Sequence, residues 1–157
     1  MNLFAINITL AFAWAGLTAN FTLPGLIVGF TLGYGALWLA SPLFGETSGY
    51  FLRTFRVLRL AVFFLYELVL SSIQVVWDVL TPQHKSNPTI LEVPLTVRSE
   101  FGILLTTNLI SLTPGTISLD VTPDGKQLVV HAMFADDPEA VKAGIRRFDR
   151  MVKEAVE

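Results

Sequence analysis

Two long apolar segments open the chain, and a short polar turn separates them. Residues 3–19 and 24–40 are almost continuously apolar. The sequence that connects them is Asn20-Phe21-Thr22-Leu23-Pro24-Gly25, which is typical of a turn. A helix of about 17 residues is about 26 Å long, which is close to the thickness of about 30 Å of a hydrocarbon core. Residues 1–45 contain no charged residue and no histidine. The pattern therefore predicts a membrane α-helical hairpin in residues 1–45.

The second apolar segment carries glycines at a spacing of four residues. Gly25, Gly29 and Gly33 fall on one face of a helix because residues four apart lie above one another. A face without side chains lets a second helix approach backbone to backbone. Two interpretations remain open: this face packs on the first helix of the hairpin, or it docks onto a helix of another subunit. The first segment offers small residues at the same spacing, namely Ala11, Ala15 and Ala19.

A third helix is predicted in residues 46–80, and its polar residues form one narrow stripe. The polar residues recur at steps compatible with a period of 3.6 on an otherwise apolar helix. Such a helix can lie in the membrane interface with its stripe toward water. It can also span the membrane with the stripe turned toward protein. The stripe consists of Arg53, Arg56, Glu67, Ser71, Gln74 and Asp78.

The charges that follow the hairpin predict its orientation. Arg53, Arg56 and Arg59 come soon after the second segment, and basic residues favour the cytoplasmic side. The N-terminus is then cytoplasmic as well. A spanning third helix would place the C-terminal residues outside, whereas a flat one would keep them inside. Glu67 is the one carboxylate of this helix that could lie near membrane depth, although it could also face water or pair with Arg56 or Arg59.

The remaining residues have the pattern of a small α+β domain. Residues 81–88 are a linker by composition, and residues 89–157 predict the order βαββα with the helices on one face of the sheet. Ser99 is a good N-cap for an apolar helix over residues 101–112. Asp137, followed by Pro138, is a good N-cap for an amphipathic last helix.

Turn chemistry divides the middle of this domain. The helix predicted before Leu112-Thr113-Pro114-Gly115-Thr116 ends there, since proline cannot continue it and glycine permits a left-handed turn. Residues 117–121 and 127–133 form a hairpin around Pro123-Asp124-Gly125-Lys126. A four-residue loop pairs Leu119 with Val130 and places Ser118 opposite His131, which we expect to bond to Ser118 or Asp120.

Composition excludes several classes of function. The 157 residues are 52% hydrophobic and 15% charged, with a net charge of -2, so no electrostatic case exists for nucleic acid. The absence of cysteine excludes disulfides and thiolate metal sites. The two histidines have no partner at metal-ligand spacing, and no nucleophile–base pair or phosphate loop is present. We therefore expect no catalytic site, no metal and no cofactor. A cleaved signal peptide is disfavoured because no basic residue precedes the first segment.

One stretch of the domain resembles a known family. Asn108-Leu-Ile-Ser-Leu-Thr-Pro-Gly-Thr-Ile-Ser-Leu-Asp-Val121 is similar to the signature of the E subunit of the Mrp-type multisubunit sodium/proton antiporters. The resemblance extends to Leu65-Tyr66-Glu67-Leu68, to Asp124-Gly125 and to His131-Ala132. It implies a small membrane subunit whose partners are other hydrophobic subunits and whose C-terminal domain is cytoplasmic. That location favours two full spans and an interfacial third helix. The resemblance supplies no catalytic residue, and the matched turn is expected to be a requirement of the fold.

The predicted function is that of a non-catalytic accessory or assembly subunit of a multisubunit monovalent cation (Na+)/proton antiporter complex in the cell membrane. The alternative is a membrane-anchored small binding or regulatory module. An integral membrane enzyme is the third class, and the residues give it no support. Whether the protein purifies alone or only together with other hydrophobic subunits would distinguish the first two classes.

Overall fold

The computed structural model describes residues 3–43, 48–82 and 86–157. Two parts of the predicted domain organisation lie outside the described residues. They are the boundary between residues 45 and 46, and residues 83–85 of the linker. The chain divides into two compact units, Met1–Thr54 and Phe55–Glu157. The third helix contributes its first turns to one unit and the rest of its length to the other.

The first unit is built on two antiparallel apolar helices. The hydroxyl of Thr22 caps the second of them by accepting a hydrogen bond of 3.3 Å from the Gly25 N–H, and Pro24 lies in its first turn. The first helix ends earlier than residue 19 because Ala19 has a positive φ of 50° and breaks the helical path. The elements of this unit are α1 (Leu3–Leu17), α2 (Leu23–Leu39), a 3-10 turn (Ser41–Leu43) and the start of α3 (Ser48–Leu80).

One described helix has the length and apolar composition needed to cross a membrane. This segment is Gly49–Leu80, which belongs to α3. The helices α1 and α2 are apolar but shorter, with 15 and 17 residues. By length and composition alone, α3 could therefore cross a membrane. This is the helix for which the residue pattern left both an interfacial and a spanning position open.

The second unit contains the rest of α3 and a three-stranded antiparallel sheet. The strand order is β1-β3-β2, and two further helices complete the order βαββα. Both N-caps occur where the residue types predicted them: Ser99 accepts from the Gly102 N–H at 3.2 Å, and Asp137 accepts from the Glu139 N–H at 3.0 Å. The elements are β1 (Thr89–Pro94), α4 (Glu100–Leu112), β2 (Thr116–Val121), β3 (Gln127–Ala132) and α5 (Pro138–Val156).

The second unit has three layers, and α4 and α5 form the middle one. On one side, Ile110 and Ile145 pack against sheet residues such as Val93 and Val130. On the other side, Phe148 and Met151 of α5 pack against α3. Leu105 and Leu109 of the apolar helix α4 are partly buried and pack against the same cluster, to which α3 contributes Leu60 and Phe63.

The predicted register of the β2–β3 hairpin is correct next to the turn and wrong farther from it. A β-bulge lies between Ser118 and Asp120, so Val121 pairs with Leu128 as predicted, but Ser118 pairs with Val130. Ile117 therefore lies opposite His131. The bulge arises because one extra residue in β2 has no partner on β3. The Ser118 hydroxyl donates to the Thr107 carbonyl at 3.0 Å instead of contacting His131.

Candidate functional site

The glycine face of α2 lies against α1. Gly25, Gly29 and Gly33 are buried, together with Leu37. A methyl group added to Gly29 would lie 2.9 Å from the carbonyl oxygen of Ala11 and 3.0 Å from the Cβ of Trp14, which is closer than real side chains approach. The two backbones therefore meet directly at this position. In the structure, the glycine face packs on the first helix of the hairpin, which is the first of the two interpretations of the glycine spacing.

Asn7 is a buried polar residue at the same interface. Its Nδ2 donates a hydrogen bond of 3.0 Å to the Tyr50 hydroxyl at the start of α3. Its Oδ1 faces Gly33 and accepts no hydrogen bond among the described residues. A Cβ on Gly33 would overlap with this oxygen, so glycine is required beside it. No local pattern signals this role of Asn7, since its partner Tyr50 lies 43 residues later in the chain.

The polar stripe of α3 faces the chain's own domain from Arg56 onward. A guanidinium N–H of Arg56 donates to the carbonyl oxygen of Glu154 at 3.0 Å, and Arg59 forms a 3.6 Å ion pair with the carboxylate of the same residue. Arg147 of α5 lies over the ring of Phe63, 4.5 Å from its centre. These contacts hold α5 along the first half of α3. Part of the stripe is therefore covered by protein of the same chain: Arg56, Glu67 and Ser71 are partly buried and Asp78 is buried, whereas Arg53 and Gln74 are exposed.

Farther along α3 the stripe lines a cavity of about 290 Å³. Glu67, Ser71 and Gln74 form its polar wall. The opposite wall is largely apolar and comes from the end of α4, from Phe134 and from α5. The cavity brings together two features that the sequence had singled out separately, Glu67 and the turn after α4. The turn contributes Thr113, Pro114, Gly115 and Thr116 to the lining.

Hydrogen bonds within the turn hold it in shape. The hydroxyls of Thr113 and Thr116 both donate to the carbonyl oxygen of Ile110, at 2.6 and 2.7 Å. Gly115 has a φ of 89°, which a residue with a Cβ rarely adopts, and its carbonyl accepts the Met133 N–H at 2.7 Å. The Thr113 N–H also donates to the Ile110 carbonyl, at 3.2 Å. The two hydroxyls add to that bond because Pro114, four residues after Ile110, has no N–H to donate. Leu112, the first residue of the family motif, is exposed.

Glu67 has neither of the arginine partners that the sequence suggested. Its side chain is partly buried, and within the described ranges no hydrogen bond or ion pair reaches its carboxylate. Arg56 and Arg59 both contact Glu154 instead. The one hydrogen bond at this residue is to its backbone carbonyl, which accepts from the Ser71 hydroxyl. The carboxylate therefore faces the cavity without a counter-charge.

Asp149 is a buried carboxylate that the residue pattern did not reveal. It lies on the buried face of α5 and is fully inaccessible to solvent. Its Oδ2 accepts from the N–H and the hydroxyl of Thr96, at 2.8 and 2.5 Å, and its Oδ1 accepts from the Val97 N–H at 3.1 Å. These bonds fasten the chain between β1 and α4 to α5. Its signal in the sequence is a charged residue at a position where the helical period places apolar residues.

The described residues contain no cluster of three histidine, cysteine or acidic side chains that could hold a metal ion. His131 is partly buried on β3 between Ile90 and Ile117 of the neighbouring strands. The geometry also provides helix-packing surfaces and partly polar cavities.

Comparison with known proteins identifies the family. A family model described as Na+/H+ ion antiporter subunit matches residues 7–155, which is nearly the whole chain. The chain belongs to the family of E subunits of Na+/H+ antiporters. It is therefore a membrane protein and a transporter component. The resemblance inferred from the Leu-Thr-Pro-Gly-Thr stretch is confirmed.

Relatives of the family match over almost their full length. The E1 subunit of the Na+/H+ antiporter of Staphylococcus haemolyticus is 34% identical over 153 residues, covering 97% of this chain and 96% of the relative. The corresponding E subunit of the Na+/H+ antiporter of Bacillus subtilis is 30% identical over 150 residues, covering 95% and 94%.

Two solved membrane complexes contain a similar chain. A chain in the Mrp complex from Dietzia sp. DQ12-45-1b is 27% identical with a TM-score of 0.50, covering 65% of this chain and 96% of that chain. A chain in the membrane-bound sulfane sulfur reductase, an archaeal respiratory membrane complex, is 25% identical with a TM-score of 0.54, covering 96% and 98%. Similar subunits therefore occur in complexes of different overall activity.

Proposed function

We propose that this chain is a non-catalytic accessory subunit of a multisubunit monovalent cation (Na+)/proton antiporter in the cell membrane. The observation that carries this proposal is the family match over residues 7–155. Its partners are other hydrophobic subunits of the complex, as in the Mrp complex that contains a similar chain. Native mass spectrometry after mild solubilisation tests this directly. Recovery of the chain only as a free protein would contradict the proposal and favour a membrane-anchored binding module.

The same chain does not carry the transported ion. An ion path through a membrane needs ionisable or strongly polar groups. Residues 1–45 contain no charged residue, and the buried Asn7 is engaged with Tyr50. Glu67 and Asp78 are the acidic residues of α3, and Glu67 is the candidate nearer the centre of the helix. Its position against the domain favours a role other than transport.

Transport assays on everted vesicles test this part of the proposal. We expect Glu67→Gln to assemble and to retain substantial antiport, whereas removal of the whole subunit lowers antiport through loss of assembled complex. The amount of complex should be measured in the same vesicles, so that activity is expressed per assembled complex. A fully assembled Glu67→Gln complex without transport would place Glu67 on the ion path.

The proposed topology has two membrane spans, α1 and α2, with α3 lying along the cytoplasmic interface. The charged helix α5 supports this position of α3. Contacts from Arg56 to Gln74 bring α3 beside α5 or the cavity over about 27 Å of helix. A spanning α3 would draw the charges of α5 into hydrocarbon, which is costly. The basic residues of α5 are Lys142, Arg146, Arg147, Arg150 and Lys153.

The outer face of α3 suits contact with lipid. The side chains that point away from the domain are apolar and more than half exposed, and they include an aromatic pair suited to the interface. In this arrangement both the N-terminus and the βαββα domain are cytoplasmic. The exposed side chains include Val62, Leu65, Tyr66, Val69, Ile73, Val76 and Trp77.

Cysteine labelling tests the topology, since the chain contains no native cysteine. Ser86→Cys and Lys126→Cys place single thiols at two exposed positions of the second unit. We expect a membrane-impermeant maleimide to label both in everted vesicles but neither in intact cells. Labelling of residue 126 from outside intact cells would sink the two-span topology and favour a spanning α3.

A further inference from the structure

The cavity beside α3 combines an unpaired negative charge with apolar walls. The Glu67 carboxylate has no counter-charge within the described part of the chain. Ser71 and Gln74 extend the polar wall by one and two helical turns. Phe134 and Phe148 contribute aromatic rings to the lining. A partly buried carboxylate without a partner is unfavourable, so a cationic occupant would gain from filling this space.

The combination fits one kind of side chain. Arginine and lysine have apolar stems that pack along hydrophobic walls while the charged head reaches a carboxylate. Arginine also stacks on aromatic rings and donates to carboxylate and amide oxygens in a fixed fork. Among the described residues, the basic side chains of α3 and α5 with assigned contacts are engaged elsewhere: Arg56 and Arg59 contact Glu154, Lys142 and Arg146 contact Glu139, and Arg147 lies over Phe63. The occupant would therefore come from another protein.

The mouth of the cavity is open to such a partner. Ala140 and Gly144 of α5 line it and are exposed. A methyl group added to Gly144 meets no atom within 4 Å, so the helix surface leaves room at this point. A phospholipid headgroup is a poorer match, because any ammonium group that it brings to Glu67 comes with a phosphate that the carboxylate repels.

We propose that this cavity is the docking site for a basic side chain of a neighbouring antiporter subunit, which pairs with Glu67 between α3 and the Thr113–Thr116 turn. The inference rests on the proposed function, because it requires an assembled complex. It gives the chain a specific contact through which the βαββα domain and α3 together hold a partner.

Thiol protection tests the occupancy of the cavity. Gly144→Cys places a single thiol at the mouth, and Lys126→Cys places one on the exposed β2–β3 turn as a control. Maleimide labelling rates are measured for the isolated subunit in nanodiscs and for the assembled complex. We expect residue 144 to label at least tenfold more slowly in the complex, with residue 126 unchanged. Equal rates at residue 144 in both preparations would overturn the proposal, and protection already present in nanodiscs would assign the cavity to lipid and overturn it too.

Charge reversal tests the role of Glu67. Glu67→Lys should lower the fraction of subunit recovered with the complex several-fold. Glu67→Gln should cause a milder loss, and its difference from the wild type should shrink at high salt, because salt screens the ion pair that only the wild type can form. Glu92→Lys makes the same charge change at an exposed position of β1 outside the cavity and should leave recovery unchanged. Equal recovery of Glu67→Lys and Glu92→Lys would show that Glu67 pairs with no basic group. Circular dichroism and thermal unfolding of each isolated variant exclude a folding defect.

The two proposals fail in different ways. If the wild-type chain does not copurify with other subunits, the proposed function fails. If it copurifies while residue 144 stays freely reactive and Glu67→Lys assembles normally, only the docking site fails.

Discussion

The two helix-packing regions of this chain are built in opposite ways. In the α1–α2 pair, three of the four buried residues of α2 are glycines, and the backbones themselves are in contact. In the second unit, α5 buries large side chains such as Phe148 and Met151 between α3 and the rest of the domain. Charged residues take part only in the second region, where Arg59 pairs with Glu154 and Asp149 is fully buried.

The difference follows from the solvent that each region is suited to. Water drives large apolar side chains together, so a helix in contact with water gains by burying them. Lipid tails are as apolar as leucine and provide no such drive, so helices there associate through close van der Waals contact of small residues. The glycine face of α2 and the face of large apolar side chains on α5 are therefore different solutions to the same packing requirement. The two modes of packing also explain why the position of α3 was hardest to predict, since this helix has both an apolar outer face and a polar stripe that faces protein.

The most disruptive change to the first region is Gly29→Leu. Because a Cβ at this position already lies 2.9 Å from the Ala11 oxygen, the larger side chain would force α1 and α2 apart. We expect a cost of more than the ~1–3 kcal/mol typical of overpacking, and loss of most subunit from the purified complex. Gly35→Leu is the matched control, since no atom lies within 4 Å of an added Cβ there. Equal recovery of the two leucine variants would show that backbone contact at Gly29 is unimportant.

In the second region, Asp149→Ala should have the largest effect. The substitution leaves the buried Val97 N–H and the Thr96 donors without their acceptor. Leaving such groups unpaired costs roughly 2–4 kcal/mol in the free energy of unfolding. Thermal unfolding of the detergent-solubilised chain measures it, with Asp120→Ala as the control, because Asp120 is exposed and accepts only from the neighbouring Val121 N–H. An unchanged unfolding temperature for Asp149→Ala would contradict the assignment.

A smaller effect is expected for Gly33→Ala, and it should depend on Asn7. The added methyl overlaps with the Asn7 Oδ1, so we expect about 1–3 kcal/mol of destabilisation. In an Asn7→Ala background the oxygen is absent and the same substitution should cost clearly less. A double-mutant cycle on the unfolding of the helix pair gives the coupling between the two residues. Additive effects would mean that Asn7 does not set the requirement for glycine.

The smallest effect concerns an exposed carboxylate at the end of α5. Glu157 accepts hydrogen bonds from the N–H groups of Ser99 and Arg98, and these bonds hold the pKa of its carboxyl below the ordinary value. Its contribution to stability is therefore present above the unfolded-state pKa of about 4.3 and is lost as the pH falls through the lower folded-state pKa. The difference in unfolding temperature between wild type and Glu157→Gln should be small at pH 7 and should shrink as the pH is lowered below about 4.3. A difference that grows on acidification would refute this.

Local features of the chain were predictable because they depend on neighbours in sequence. The end of α4 at the Thr-Pro-Gly turn, the N-caps Ser99 and Asp137, and the order βαββα all follow from residue types and short spacings. The glycine spacing likewise predicted a packing face, since residues four apart must share one side of a helix. The family motif was legible for the same reason, as its residues are contiguous.

Contacts between distant residues were decided only by the tertiary structure. The bulge that moves Ser118 away from His131 depends on how β2 meets β3 and on the Thr107 carbonyl of α4. The α3 stripe had two possible partners, and the periodicity of a helix specifies a face without specifying what covers it. Asp149 finds its donors 52 and 53 residues earlier in the chain, and Asn7 meets Tyr50 43 residues later. No local pattern encodes such pairs, because they form only when separate elements pack.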